Sequence, residues 1–310
     1  MKSIKGQYAD NSMPIDSDME GDTILEVKNL RKEYREFALR DISLSLPKGS
    51  IMGIIGPNGA GKTTTIKIIM NMLQAKSGDV RLFGLNYKQH EREIKNRIGY
   101  VGEEQYFYQN KTIRWTEKFV SAFYRDWDSD LFARLLEEFQ LTRTKKVKEL
   151  SKGMKVKLSF AVALSHHPDL LILDEPTAGL DPVIRREILD LLLTKSQDED
   201  KSVILSSHIT DDITRIADYI AFMINGRIEI ADTKDHLLSN WKKIHFKNGT
   251  LTDEIGSKLL SISKQMFGSA GLTDRYLALR PLLEKGIGSQ DIVVENVNLD
   301  DILISLVKEN

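Results

Sequence analysis

Apolar and polar residues alternate with period two in Leu25-Glu26-Val27-Lys28 and again in Ile42-Ser43-Leu44-Ser45-Leu46. Successive strand side chains point to opposite faces, so Ile24 to Pro47 predicts antiparallel strands flanking a turn. A different texture follows. Ser50 to Ile55 is almost unbroken in its apolarity, and similar runs recur at Leu170–Leu173, Ser202–Ser206 and Tyr219–Ile224. Further strand candidates lie at Asp79–Phe83 and Arg97–Val101. Strands buried on both faces belong to parallel sheets. Helical spacing fills most of the gaps, as in Thr64 to Met72, where Ile and Met alternate with polar residues. Strand and helix in alternation predict an α/β fold class with a parallel core sheet.

Residues 1–22 carry Asp16, Asp18 and Glu20 without periodicity and read as a disordered lead-in. From Trp115 to Leu141 the spacing of Phe119, Phe123, Tyr124, Leu131, Leu135, Leu136 and Phe139 is helical throughout, which predicts an inserted helical subdomain, about residues 104–167. Asn225-Gly226 stands between two apolar runs, a two-residue hairpin signal. The nucleotide-binding domain is therefore expected to span residues 23–238. Residues 239–310 read as a small α+β accessory region, with a strand at Ile292-Val293-Val294 and a helix from Leu299 to Lys308.

The chain has 310 residues, 41% of them hydrophobic and 29% charged, which suits a soluble protein with a full core. A net charge of −1 gives no bulk attraction to nucleic acid or to an anionic membrane. There is no cysteine, which removes disulfides and thiolate metal sites. No apolar run approaches the ~20 residues that span a bilayer, and no secretory signal is read. Any membrane role needs a partner.

Gly56-Pro57-Asn58-Gly59-Ala60-Gly61-Lys62-Thr63 satisfies every fixed position of the phosphate-binding pattern G-x-x-x-x-G-K-[ST]. It follows a strand candidate and, with Thr64, opens a helix, the context in which backbone N–H groups turn inward around phosphate oxygens. Lys62 is placed for the β- and γ-phosphates and Thr63 for Mg²⁺. A plain glycine turn between strand and helix is the alternative for the motif alone. The apolar strand Leu170–Leu173 ends in Asp174 and Glu175, which a parallel sheet delivers to the phosphate side. Asp174 is expected to hold Mg²⁺ and Glu175 to act as general base toward water.

With these motifs the sequence resembles the ATP-binding cassette family over roughly residues 25–235. Leu150-Ser151-Lys152-Gly153-Met154 is similar to the signature LSGGQ, and Ala178-Gly179-Leu180-Asp181 to the D-loop. His208 resembles the switch histidine, Tyr34 the aromatic that stacks on adenine, and Glu103 stands at the Q-loop glutamine position. The resemblance implies a P-loop NTPase core with an antiparallel β subdomain, and a head-to-tail dimer around two ATP molecules. In it the Ser151 hydroxyl and Gly153 N–H of one subunit face the phosphate loop of the other, while His208 touches the phosphate from its own side. It further implies Glu175, His208 and Lys62 as catalytic residues, and Thr63, Asp174 and Glu103 around Mg²⁺. Lys152 for glycine, Met154 for glutamine and Glu103 for glutamine depart from the pattern, and a slow ATPase is expected.

LSKGM, AGLDP and SSHITDD resemble cassettes paired with ABC-2 permeases, as does the closing stretch Asn298 to Leu303. That implies an exporter subunit on the cytoplasmic face of the membrane, held there by a separate permease, as a homodimer or with a paralogue. Tyr106-Phe107-Tyr108 are candidates for the permease contact, with packing inside the helical subdomain as the alternative. The rival class is a soluble ATPase of the same superfamily acting on nucleic acid or ribosomes. One cassette, no coiled coil and a near-neutral charge speak against it, and no nucleic-acid partner is expected.

Overall fold

The computed structural model describes residues 23–198, 201–266 and 268–309. The lead-in expected over residues 1–22 lies outside them. In chain order the elements are β1 (Thr23–Glu33), β2 (Ala38–Pro47), β3 (Ile51–Ile55), α1 (Lys62–Ile69), β4 (Ser77–Leu82), α2 (Tyr87–Asn96) and β5 (Ile98–Val101). There follow α3 (Ile113–Ser121), α4 (Ser129–Glu138), α5 (Lys152–Leu164), β6 (Leu170–Asp174), α6 (Pro182–Asp198), β7 (Ser202–Ser207), α7 (Thr210–Ile216), β8 (Tyr219–Ile224) and β9 (Arg227–Thr233). The last are α8 (Lys234–Asn240), β10 (Lys242–Lys247), α9 (Asp253–Gly256), β11 (Ser261–Gln265), β12 (Gly268–Thr273), α10 (Tyr276–Gly288), β13 (Ile292–Asn296) and α11 (Leu299–Glu309).

The central sheet runs β5-β6-β7-β3-β8-β9, parallel except for β9. Strands β3, β6 and β7 are buried at every residue, as their unbroken apolar runs require. Parallel order brings the carboxyl ends of β3, β6 and β7 to one edge, where the phosphate loop, Asp174 and the approach to His208 meet. A second sheet, β2-β1-β4, is antiparallel and packs Leu25, Val27, Leu39 and Leu44 against Met52 and Ile54 of the central sheet.

Turn Asn225-Gly226 joins β8 to β9 with φ of 48° and 75°. It also braces the phosphate loop, because Gly226 N–H donates to the Ala60 carbonyl at 3.0 Å and its own carbonyl accepts from Arg40 N–H at 2.8 Å. A Cβ at Gly226 would stand 1.9 Å from the Ala38 carbonyl oxygen, and neither backbone can yield. Gly226→Ala is expected to cost at least about 2 kcal/mol, read as a lower midpoint in urea unfolding.

The helical stretch differs from expectation at its centre. Trp115 to Leu141 is two helices, broken over residues 122–128, where Asp128 accepts from Leu131 N–H at 2.7 Å and starts α4. Tyr124 and Trp127 keep the helical spacing but lie in the break, Tyr124 stacked on His166 at 3.9 Å between ring centres. The third sheet, β11-β12-β10-β13, is larger than the single strand expected there. With α9 and α10 it makes a β-α-β-β-α-β unit around Ile244, Phe246, Leu279 and Leu283. Helix α11 leaves this unit and buries Leu299, Ile302 and Leu306 in the main core beside Ile213 and Ile216 of α7. Among the described residues no helix is long and apolar enough to cross a membrane.

Candidate functional site

Lys62 is the first residue of α1 and only 5% exposed. Its ammonium folds back into the loop, donating to the Gly56 carbonyl at 2.7 Å and the Pro57 carbonyl at 3.3 Å. It also lies 3.2 Å from Glu175 Oε1, both side chains being under a tenth exposed. Pro57, Asn58 and Gly59 form the exposed rim, and Ala60 is buried beneath it. Gly61 precedes α1 in a left-handed conformation, and Thr64 sits half-buried in its first turn.

One hydroxyl network joins the strand ends. Thr63 Oγ1 donates to Asp174 Oδ1 at 3.1 Å, and Ser206 Oγ donates to the same oxygen at 2.7 Å. Ser206 Oγ in turn accepts from the Glu175 N–H at 3.1 Å. Burial pushes the Asp174 carboxyl above the usual aspartate range, against those two hydrogen bonds. Glu175 turns sharply off the strand at φ 50°, a conformation that costs a non-glycine residue on the order of 1 kcal/mol. That turn throws its carboxylate toward Lys62 and His208. His208 Nδ1 lies 2.8 Å from Glu175 Oε2, and the His208 N–H donates to that oxygen at 3.3 Å. The His208 side chain remains 44% exposed.

Other candidates stand around this centre. Tyr34 is 46% exposed, with its ring 6.4 Å from that of Phe37, whose edge in turn closes on Gly61. Glu103 is exposed, whereas Gln105 turns inward, donating to the Gly102 carbonyl at 2.6 Å and bonding Ser159. Ser151 caps α5, its Oγ accepting from Met154 N–H at 3.2 Å, and is exposed. Gly153 is buried, and a Cβ there would meet Ile184 of α6 at 2.5 Å. This glycine therefore packs closely against the Ile184 side chain of α6. Asp181 caps α6, accepting from the Val183 and Ile184 N–H groups at 3.1 Å. Exposed Lys152 lies with its ammonium against Gly179, so signature and D-loop form one surface. None of the described hydrogen bonds joins that surface to the phosphate loop of the same chain.

Two residues had escaped the motif reading. Ser206 touches both acidic residues, and its trace is a pair of serines ending an otherwise apolar strand. Asp212 is 1% exposed and bridges two elements. It accepts from Thr177 Oγ1, just beyond Glu175, at 2.7 Å and from Arg185 Nε of α6 at 2.5 Å. Its signal is an acidic residue in the first turn of α7.

Comparison with known proteins agrees with this fold. The ABC transporter family profile matches residues 39–178. The bacitracin transport ATP-binding protein BcrA of Bacillus licheniformis is 31% identical over 303 residues, covering 92% of this chain and 97% of that protein. The protein of the same name in Enterococcus faecalis is 34% identical over 254 residues, covering 78% and 80%. Among solved structures, an ATP binding subunit of an ABC transporter superposes with a TM-score of 0.64 at 28% identity, covering 70% of this chain and 92% of that one. The fold and the loop define a P-loop nucleotide-binding protein. The chain belongs to the ATP-binding subunits of ABC transporters. It is an ATP-hydrolysing transport subunit, and the rival reading as a nucleic-acid or ribosome ATPase falls away.

Proposed function

We propose that this chain drives export through a separate ABC-2 type permease, working from the cytoplasmic face as a head-to-tail pair with itself or a paralogue. The observation that carries the hydrolytic half of this reading is the Glu175 carboxylate held between Lys62 and His208. Lys62 carries three N–H donors now spent on two carbonyls and Glu175, and a terminal phosphate entering the loop would claim them. Glu175 is then free to orient a water molecule and accept its proton at a carboxylate oxygen. His208, released from Glu175, presents its imidazole to the phosphate.

The residues fit ATP and Mg²⁺. At Gly59, φ is 80° and the space where a Cβ would stand is open, which leaves the mouth of the loop clear. Thr63 Oγ1 and Asp174 Oδ1 stand 3.1 Å apart at the strand end, hard oxygens of the kind Mg²⁺ takes. Thr63 Oγ1 and Asp174 Oδ1 would hold the ion, with Glu103 as a further oxygen. When bound it supplies positive charge against the developing phosphate charge. Ser151 and Gly153 would close the site from the other subunit through the free N–H groups that open α5.

An exposed aromatic ladder supports the permease contact. Tyr108 meets Trp115 edge-on at 5.2 Å, Trp115 stacks on Phe119 at 5.0 Å, and Phe119 meets Phe123 at 5.3 Å. Phe123 also lines a cleft of about 760 Å³ with Tyr87, Arg92, Lys95 and Tyr124. Of the three aromatics singled out by sequence, Phe107 packs on the core, while Tyr106 and Tyr108 are 88% and 59% exposed. Such a patch on a soluble surface marks an interface. Tagged protein drawn from detergent-solubilised membranes of its own cell is expected to bring a multi-span membrane protein. Recovery of ribosomes alone would overturn the reading. Tyr106→Ala with Tyr108→Ala should weaken that association about thirtyfold or more and leave ATP binding unchanged.

A further inference from the structure

The C-terminal unit reaches the segment carrying His208 through a half-buried hydrogen bond. Thr210 Oγ1 donates to Asp300 Oδ1 at 2.8 Å, across 90 residues of sequence. Thr210 is 4% exposed and opens α7, two residues after His208. The residue before it, Ile209, has an apolar side chain and makes no capping bond, so α7 lacks a side-chain cap of its own. From the far side α7 is pinned by Asp212 to Thr177 and Arg185. Leu299, Ile302 and Leu306 fix α11 in the same apolar cluster as Ile213 and Ile216, so Asp300 is presented by a packed helix and not by a loose tail.

We propose that Asp300 is a positioning residue for ATP hydrolysis: the last helix of the C-terminal unit sets where α7 begins, and thereby where His208 stands. The inference rests on the reading of Glu175 and His208 given above. Only His208 and Ile209 separate Ser207, the last residue of β7, from α7, and Ser207 Oγ already accepts the Ile209 N–H at 2.9 Å. A connection that short transmits a shift of α7 directly to the imidazole. With β7 fixed in the sheet and Asp212 fixed at the first turn, Asp300 is, among the described residues, the remaining side-chain hold from outside α7 on its start. The C-terminal unit is then a lever on hydrolysis as well as a fold element: whatever moves α11 moves His208, while the phosphate loop on α1 stays in place.

Steady-state ATP hydrolysis by the purified full-length chain tests this. Asp300→Ala and Thr210→Val are expected to lower kcat roughly tenfold with KM for ATP within about twofold, because the switch is misplaced while the loop is intact. Asp300→Asn keeps an oxygen acceptor of the same shape, and Thr210→Ser keeps the hydroxyl, so both should return kcat to near the wild-type value. The double variant Asp300→Ala/Thr210→Val should be no slower than either single one. Thermal unfolding followed alongside separates a stability loss from a turnover loss. A fall in melting temperature with unchanged kcat, equal loss in Asp300→Asn and Asp300→Ala, or an additive double variant would each overturn the proposal. Glu175→Gln and His208→Ala are measured in parallel: full activity in those two would sink the site reading itself, whereas inactive controls beside a fully active Asp300→Ala sink only the lever.

Discussion

Glu175→Gln is expected to lower phosphate release by roughly 10²- to 10³-fold while ATP still binds. The substitution keeps the shape of the side chain and removes its charge and its capacity to take a proton. Little else should change. The left-handed turn at φ 50° is held by backbone contacts, the Glu175 N–H donating to the Ser206 carbonyl at 3.2 Å and to its hydroxyl at 3.1 Å, and these survive. Lys62 keeps its two loop carbonyls. With the carboxylate gone, the ammonium is less engaged in the nucleotide-free state, so ATP affinity should hold or rise. Hydrolysis being what removes the shared phosphate, the variant should accumulate an ATP-dependent dimer, visible by analytical ultracentrifugation with and without nucleotide. Wild-type turnover in Glu175→Gln would take the base assignment away from this residue. Normal loss of turnover without any dimer would instead count against the two-chain site.

Much of this arrangement was legible in the sequence because the elements that build it are local. Buried parallel strands announce themselves as apolar runs, and the strands β6 and β7 end within a residue of expectation. The phosphate loop is a contiguous motif, and Asn225-Gly226 encodes its turn in two residues. What stayed hidden depends on contacts between distant segments. The break between α3 and α4 was masked because Phe123, Tyr124 and Trp127 continue the helical spacing. They are aromatic for other reasons: Tyr124 stacks on His166, Trp127 packs on Phe132, and Phe123 extends the exposed aromatic ladder from Phe119. The β10–β13 sheet is hard to read because one of its two inner strands, β12, is poor in branched and aromatic residues. β12 is Gly-Ser-Ala-Gly-Leu-Thr, a weak strand former held between β10 and β11. Ser206, Asp212 and Asp300 are polar groups whose partners lie 27 to 90 residues away. No local pattern marks them. Nothing in the local pattern marks Gln105 either, a half-buried side chain two residues beyond exposed Glu103 that donates to the Gly102 carbonyl.

Lys62→Ala should have two separable effects, one on nucleotide and one on the fold. ATP affinity should fall about 10- to 100-fold, since charge-assisted hydrogen bonds to phosphate are lost. The fold should suffer as well, before any nucleotide is added. Lys62 and Glu175 form an ion pair with side chains 6% and 8% exposed. Removing one member of such a pair strands the other in a poorly solvated place, at a cost of about 3–5 kcal/mol. His208 at 2.8 Å and its N–H offer Glu175 partial relief, which places the expected loss toward the lower end. The stranded charge, and not the missing lysine stem, is the cause on this account. Adding Glu175→Gln to Lys62→Ala should therefore restore part of the lost stability, although it takes away a second polar contact. Urea unfolding of the nucleotide-free single and double variants decides the matter. A double variant less stable than Lys62→Ala alone would mean that Glu175 stands well solvated, and that the buried pair is not what holds the empty loop closed.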